Sequence, residues 1–258
     1  MNNLLAAMAM AAASLTATAV SAQTARPTVV LVHGAFADAS SWNGVIRILE
    51  KDGYPVVAAA NPLRGVASDG KSVGDIVSSL GKPVVLVGHS YGGSVITEAA
   101  RGKPNVKALV YVSAFAPDAG ETAAGLSGKF PGSTLGPAIA PPVKLSSGDN
   151  DLYILQDKFH RQFAADVPAA DAALMAATQR PITETALNEK SGAPTWTGIP
   201  SWFVYGDKDL NIPPKALAFM AERAKSRKTE VVAGASHVVM VSHPEVVARL
   251  IERAAEAK

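Results

Sequence analysis

The stretch VVLVGHSYGG, residues 84–93, joins an apolar run to a glycine-rich turn centred on Ser90. Three valines and a leucine at its start are typical of a strand that is buried on both faces of a parallel sheet. A helical pattern follows directly, so the Gly-x-Ser-x-Gly motif lies in a sharp strand-to-helix turn, where a larger residue at position 88 or 92 would collide with the backbone. Such a turn presents the serine Oγ at a helix N-terminus, where N–H groups favour developing negative charge. We therefore predict that Ser90 is a nucleophile.

Outward from this stretch, short apolar strands alternate with helical patterns. Further strands are predicted at residues 28–32, 56–59, 106–112, 202–205 and 229–232. Helices are predicted around residues 42–49 and at residues 72–80, 90–101, 214–224 and 244–255. This alternation indicates an α/β fold, with a mostly parallel sheet and helices on both of its faces.

The alternation is interrupted once, at about residues 116–198, where proline and glycine are frequent and no convincing strand is found. One apolar stripe, at positions 152, 155, 159 and 163, and a second segment at residues 168–179 favour helices. We predict an inserted helical cap over the carboxyl edge of the sheet, where open α/β sheets bind ligands. Phe36, Phe115 and Phe159 are candidate substrate contacts, although apolar residues of a cap also form the cap's own core. A surface insertion without a function is the alternative.

The N-terminal segment has the pattern of a secretory signal. Residues 4–20 are apolar and uncharged, and the small residues of Val-Ser-Ala at 20–22 precede Gln23 as at a signal-peptidase site. We expect residues 1–22 to be cleaved, which leaves residues 23–258 as a single domain without a membrane span, in the periplasm or secreted. A buried or frayed N-terminal helix is the alternative.

Composition excludes several classes of function. Lys and Arg number 24 against 22 Asp and Glu, so the net charge of +2 gives no electrostatic footprint for nucleic acid. The absence of cysteine excludes disulfides, thiolate nucleophiles and cysteine-bound metals. The five histidines show no metal-binding spacing, and we expect neither a metal nor a cofactor. The composition does not predict an oligomeric state.

A serine nucleophile needs a base, and the base needs a carboxylate to orient it. Of the five histidines, His237 lies on the loop after the last predicted strand, from which it can reach the serine turn. Asp207 and Asp209 both follow the strand at residues 202–205; Asp207 could cap the turn, so we favour Asp209, further into the loop. Ser90, Asp209 and His237 are therefore the expected triad.

The transition state of acyl transfer also needs N–H donors for its oxyanion. The residue after the nucleophile supplies one of them, which is the backbone N–H of Tyr91. The second should come from the turn after the first strand, at HGAF, residues 33–36. Ala35 is the preferred donor there and Phe36 the alternative.

The motifs LVHGAF, VVLVGHSYGG, YGDKDLNIP and SHVVMVSHPE resemble those of the α/β-hydrolase superfamily. Within it, the spacing of His237, Met240 and Pro244 is similar to that of small bacterial esterases related to plant methylesterases and hydroxynitrile lyases. The resemblance implies the α/β-hydrolase fold and an acid at the third residue after Gly206, which is Asp209. It also implies a serine hydrolase that cleaves carboxylic esters, with small to medium acyl or aryl ester substrates.

Two positions separate esterases from lyases within this branch. Hydroxynitrile lyases typically have threonine at the position of Gly34 and lysine at that of Val238. No ammonium group is therefore available here to stabilise cyanide, which favours an esterase. A cofactor-free haloperoxidase-like enzyme, a C–C hydrolase, a hydroxynitrile lyase and a ligand-binding protein with slow turnover remain as alternatives.

Overall fold

The computed structural model describes residues 26–257, and the predicted signal peptide lies outside them. The strands are β1 (Thr28–Val32), β2 (Val56–Ala59), β3 (Val84–His89), β4 (Val106–Val112), β5 (Val143–Lys144), β6 (Asn150–Leu152), β7 (Ile182–Thr183), β8 (Ser201–Gly206) and β9 (Lys228–Val232). The α-helices are α1 (Asn43–Lys51), α2 (Val66–Leu80), α3 (Gly92–Ala99), α4 (Ala123–Gly128), α5 (Gln156–Phe163), α6 (Ala169–Thr178), α7 (Glu184–Asn188), α8 (Pro214–Arg223), α9 (Val239–Ser242) and α10 (Pro244–Glu256). No helix within this part of the chain is long and apolar enough to cross a bilayer.

The central sheet has six parallel strands in the order β2-β1-β3-β4-β8-β9. Every residue of β1, β3 and β8 is buried, as their continuous apolar sequences predict. Strand β9 forms one edge and is only partly buried. Helix α1 packs against α10 and α2 against α3, so helices cover the sheet and the predicted α/β-hydrolase fold is confirmed.

Helix α2 begins at Val66, six residues earlier than the sequence predicts. Gly70 and Gly74 within this helix oppose helix formation by propensity alone. Their reason is packing, because a Cβ on Gly70 would lie 2.7 Å from the Glu98 Cβ and one on Gly74 would lie 3.3 Å from the Ala99 carbonyl oxygen. Close approach of α3 therefore favours glycine here, and burial of Val66 and Val73 compensates for the low propensity.

The insertion at residues 116–198 differs from the expectation of a helical cap. It contains helices α4 to α7, but also a small antiparallel sheet in the order β5-β6-β7, so the expectation of no strand is wrong. Leu152 belongs to β6, and helix α5 begins only at Gln156. Strands of two or three residues are too short for an alternating pattern to be recognised in the sequence.

Candidate active site

Ser90 lies in the sharp turn between β3 and α3. Its φ of 53° is left-handed, which is uncommon for a residue with a side chain, and its N–H donates a 3.2 Å hydrogen bond to the Val112 carbonyl. A Cβ on Gly88 would lie 2.5 Å from the Gly92 carbonyl oxygen, and one on Gly92 would lie 2.5 Å from that of Val32. Neither position has room for a side chain, so both glycines are steric requirements of the turn.

The loop after β1 packs directly against this turn. A Cβ on Gly34 would lie 2.6 Å from the Ser90 Cβ and 2.7 Å from the His89 carbonyl oxygen. Both distances are shorter than real Cβ contacts, so a threonine at position 34 would need the serine turn to move. The local backbone therefore disfavours the residue that hydroxynitrile lyases typically carry there.

His237 and Asp209 form a buried pair. The His237 Nδ1 lies 2.6 Å from the Asp209 Oδ2, and their side chains are 1% and 0% exposed. The other carboxylate oxygen, Oδ1, accepts the N–H groups of Asn211 (2.8 Å) and Ile212 (2.9 Å). With Nδ1 donating to the carboxylate, Nε2 carries the lone pair, and this buried atom has no hydrogen-bond partner among the described residues.

Asp207, the other candidate carboxylate, lies elsewhere. Its side chain is exposed, and its Oδ1 accepts the N–H of Gly234 at 2.7 Å. The structure therefore places Asp209, and not Asp207, beside the histidine. Close approach of the two loops depends on Gly206, where a Cβ would lie 2.1 Å from the Ala235 carbonyl oxygen.

His33 and His89 hold the loops around Ser90. The His33 Nε2 accepts the N–H of Asn61 at 3.1 Å, which fixes its tautomer and lets Nδ1 donate to the Gly34 carbonyl at 3.0 Å. His89 is fully buried, and its Nε2 donates to the His237 carbonyl at 3.2 Å. Burial lowers the pKa of His33 and lowers that of His89 well below the usual value, so both rings are neutral and structural.

His160 and His243 lie further from the serine turn. The Nε2 of His160 is 2.9 Å from the Val167 carbonyl oxygen within the insertion. His243 precedes α10, with its Nε2 3.5 Å from the Asp166 Oδ2. Among the five histidines, His237 is the one whose ring pairs with Asp209.

The backbone around Ser90 offers two unused donors. The N–H groups of Ala35 and Tyr91 form no hydrogen bond with the residues that the structure describes. The N–H of Phe36, the alternative donor, is already bonded to the Arg180 carbonyl at 2.9 Å. Ala35 and Tyr91 therefore remain as the pair that can receive an oxyanion, next to Ser90 in one cavity.

The Tyr91 side chain anchors the serine turn from below, which the sequence did not reveal. The ring is fully buried, and its hydroxyl donates a 3.0 Å hydrogen bond to the Asp69 Oδ2 in α2. Asp69 also accepts the N–H of Arg64 at 3.0 Å, and burial raises the pKa of this carboxyl above its usual value. Tyr91 and Asp69 lie 22 residues apart in the sequence, and no motif connects them.

Ser90 opens into a cavity of about 310 Å³ between the sheet and the insertion. Phe36 and Phe115, two of the predicted substrate contacts, line it together with apolar residues of the insertion and of the loop after β8. The larger aliphatic side chains of this wall are Leu135, Ile139, Leu152, Leu187 and Ile212.

Phe159, the third predicted contact, does not line this cavity. Its side chain is fully buried in the insertion, where its ring packs on Phe163 at 4.9 Å. Phe163, one turn later on α5, lies against the His237 ring at 5.2 Å. A helical apolar stripe does not show which of its members faces a site, so this expectation is corrected.

Comparisons with known proteins identify the family of this chain. A sequence profile described as the alpha/beta hydrolase family matches residues 29–250. The alpha/beta hydrolase nvfD of Aspergillus novofumigatus (strain IBT 16806) is 26% identical over 250 residues, which are 89% of this chain and 97% of that protein. The alpha-hydroxynitrile lyase of Arabidopsis thaliana is 26% identical over 238 residues, 84% of this chain and 92% of that protein.

Solved structures show the same architecture. Polyneuridine aldehyde esterase superposes with a TM-score of 0.76 at 18% identity, over 88% of this chain and 98% of that chain. At this identity the likeness shows the fold alone. Since both a hydrolase and a lyase are among the relatives, the reaction has to be argued from the site.

Proposed function

Since this chain belongs to the alpha/beta hydrolase family, as its motifs indicate, we propose that it is a serine esterase acting on small to medium acyl or aryl esters. Ser90 is the nucleophile, His237 the general base and Asp209 the residue that orients the base. The N–H groups of Ala35 and Tyr91 form the oxyanion hole. No metal or cofactor takes part in this mechanism.

The observation that carries the proposal is the state of the His237 ring. Asp209 holds Nδ1 at 2.6 Å, and Nε2 is buried with no hydrogen-bond partner among residues 26–257. A buried acceptor without a donor is costly to maintain, which is typical of groups kept for catalysis. The histidine loop also lies against the serine turn, because His89, next to Ser90, donates to the His237 carbonyl at 3.2 Å.

The reaction is a two-step acyl transfer. The Ser90 Oγ attacks the ester carbonyl while the His237 Nε2 accepts its proton, and the tetrahedral oxyanion receives the N–H groups of Ala35 and Tyr91. His237 then gives the proton to the leaving alcohol, so that an acyl-serine remains. Water attacks the acyl group with the same histidine as base, and Ser90 is regenerated.

The cavity supports the class of substrate. Its volume of about 310 Å³ and its apolar wall fit an uncharged acyl or aryl group of small to medium size. Among the described residues that line it, none is a Lys, Arg, Asp or Glu. Binding therefore depends on apolar contact more than on charge.

A lyase is the second candidate, because the Arabidopsis thaliana relative is an alpha-hydroxynitrile lyase. Two features of this site argue against that reaction. The backbone around Gly34 has no room for a threonine, and Val238, after the histidine, is an apolar residue with no exposed surface. Release of cyanide from mandelonitrile at a rate comparable to that of ester hydrolysis would favour the lyase.

The test of the proposal is the variant Ser90→Ala with p-nitrophenyl acetate as substrate. We expect kcat to fall by about 10⁶-fold, because the oxyanion hole and substrate binding remain without a nucleophile. The matched control is Ser147→Ala, which makes the same change at an exposed serine and should keep the turnover of the parent protein. Near-native turnover by the Ser90 variant would contradict the proposed mechanism.

We also propose that the enzyme is exported, on the pattern of residues 1–22 alone. N-terminal sequencing of protein from the periplasm or culture medium should begin near Gln23. Recovery of an intact Met1 in the cytoplasm would contradict export.

A further inference from the structure

Several polar side chains of the catalytic cavity take no part in the reaction, and Asn211 is the one whose amide has a free donor. Asn211 lies on the loop after β8, two residues after Asp209, and borders the cavity although it is only 3% exposed. We propose that its side-chain NH₂ binds a second oxygen of the substrate, one that is not part of the ester group. The proposal rests on the proposed esterase function and adds the chemistry of its preferred substrate, an ester that carries a further carbonyl.

The orientation of the Asn211 amide follows from its neighbour Gln162 on α5. The Gln162 Nε2 donates to the Leu210 carbonyl at 2.9 Å, and its Oε1 accepts the hydroxyl of Thr134 at 2.8 Å. A carbonyl accepts only, so the atom that faces Leu210 is the nitrogen of Gln162. The same nitrogen lies 2.8 Å from Asn211, which must present its own oxygen, Oδ1, to it.

The other polar atoms of Asn211 are also in use. Its backbone N–H donates to the Asp209 Oδ1 at 2.8 Å, and its backbone carbonyl accepts the Ser127 hydroxyl at 2.9 Å. Only Nδ2 remains, and no described residue accepts a hydrogen bond from it. Because the residue borders the cavity and is otherwise enclosed, a ligand in the cavity is the partner that can use this donor.

The cavity offers few competing donors. The Tyr91 hydroxyl is bonded to Asp69, and the Ser127 hydroxyl to Asn211. Ser133 is the rival, since its Oγ accepts the N–H of Leu135 at 3.4 Å and its proton can turn towards the cavity. Ser133→Ala therefore serves as the matched variant that removes the other candidate donor.

An ester with an oxygen at the right place should be favoured over one that lacks it. A neutral hydrogen bond of this kind is worth about 3- to 10-fold in kcat/KM. We would compare methyl 4-oxopentanoate with methyl pentanoate, and methyl 5-oxohexanoate with methyl hexanoate, so that the ketone is placed at two distances. The parent enzyme should prefer the ketone ester in at least one pair, mainly through a lower KM.

Two substitutions of Asn211 test the assignment. Asn211→Asp keeps the size of the side chain and the oxygen that accepts from Gln162, but replaces the NH₂ donor by a second oxygen. Asn211→Leu removes both the donor and the acceptor. Both variants should lose the preference, so that kcat/KM for the ketone ester falls to about that of the plain ester measured with the same variant. If the leucine variant fails to fold, the aspartate variant still decides the assignment.

Three results would overturn the inference. The parent enzyme could show no preference for the ketone ester, the preference could persist in both Asn211 variants, or it could be lost in Ser133→Ala alone. Calorimetric binding of the same esters to Ser90→Ala protein separates this result from failure of the proposed function. If no ester is hydrolysed, the esterase assignment fails. If Ser90→Ala protein binds the ketone ester more tightly than the plain ester, and the double variant Ser90→Ala/Asn211→Asp does not, the role of Asn211 as a donor is still supported. Equal binding of the two esters to Ser90→Ala protein would refute that role.

Discussion

Replacement of Asp209 by asparagine should disable the histidine without disturbing the fold. The Oδ1 of Asp209 accepts two backbone N–H groups, at 2.8 and 2.9 Å. In the asparagine variant the amide oxygen is the atom that can accept them, so the NH₂ group faces His237. The imidazole must then accept at Nδ1 and carry its proton on Nε2, where it can no longer take the proton of Ser90.

The expected loss is about 10⁴-fold in kcat, which corresponds to about 5 kcal/mol of transition-state stabilisation. Turnover of p-nitrophenyl acetate measures it, with the melting temperature as a check that the protein remains folded. The matched control is Asp207→Asn, because that exposed side chain needs only one acceptor oxygen for the N–H of Gly234 and an amide supplies it. A loss of similar size in the control, or full activity in Asp209→Asn, would refute the assignment of the acid.

Three further predictions follow from the packing around the serine turn. Gly34→Ala should lower kcat for p-nitrophenyl acetate and destabilise the protein by about 1–3 kcal/mol in urea unfolding, because the new Cβ would lie 2.6 Å from the Ser90 Cβ. The control is Gly198→Ala, where a Cβ meets nothing within 4 Å. This control should change neither kcat nor the unfolding free energy. Tyr91→Phe leaves a buried carboxylate without one donor and should cost about 1–3 kcal/mol in urea unfolding. The kcat of Tyr91→Phe should change little, because the backbone N–H of residue 91 remains. An unchanged free energy of unfolding would contradict a stabilising role of the hydrogen bond from Tyr91 to Asp69. His33 and His89 have lowered pKa values, so the unfolded chain binds more protons than the folded one below pH 6.5, and stability should fall as the pH drops through this value. A melting temperature that increases as the pH is lowered from 7 to 5.5 would contradict this prediction.

Much of the fold could be predicted from the sequence because its strands are continuous apolar runs bounded by turn residues. The six strands of the central sheet were predicted within two residues at each end, and the largest difference is that β3 continues through Gly88 and His89 to the serine. Tertiary packing explains the earlier start of α2, where glycines allow the close approach of α3. The strands of the insertion are two or three residues long and leave no periodic signal, and β7 pairs with β6 across about 30 residues of sequence.

The candidate site was predictable where chemistry requires a residue type at a fixed spacing, as for Ser90, His237 and Asp209. Hydrogen bonds between residues distant in the sequence were not predictable. Ala35 is favoured over Phe36 as an oxyanion donor because the Phe36 N–H is bonded to the Arg180 carbonyl, a contact seen only in the structure. The orientation of the Asn211 amide likewise follows from its hydrogen bond with Gln162. These contacts depend on how the insertion folds over the sheet, which a linear pattern does not contain.

Covalent labelling tests the central claim, that Ser90 is activated as an esterase nucleophile, most directly. A p-nitrophenyl phosphonate phosphonylates a serine that has a base and an oxyanion hole beside it far faster than other side chains. We predict stoichiometric release of nitrophenol, loss of esterase activity in parallel, and the added mass on the peptide that contains Ser90. Labelling of another residue, or full activity after labelling, would contradict the account.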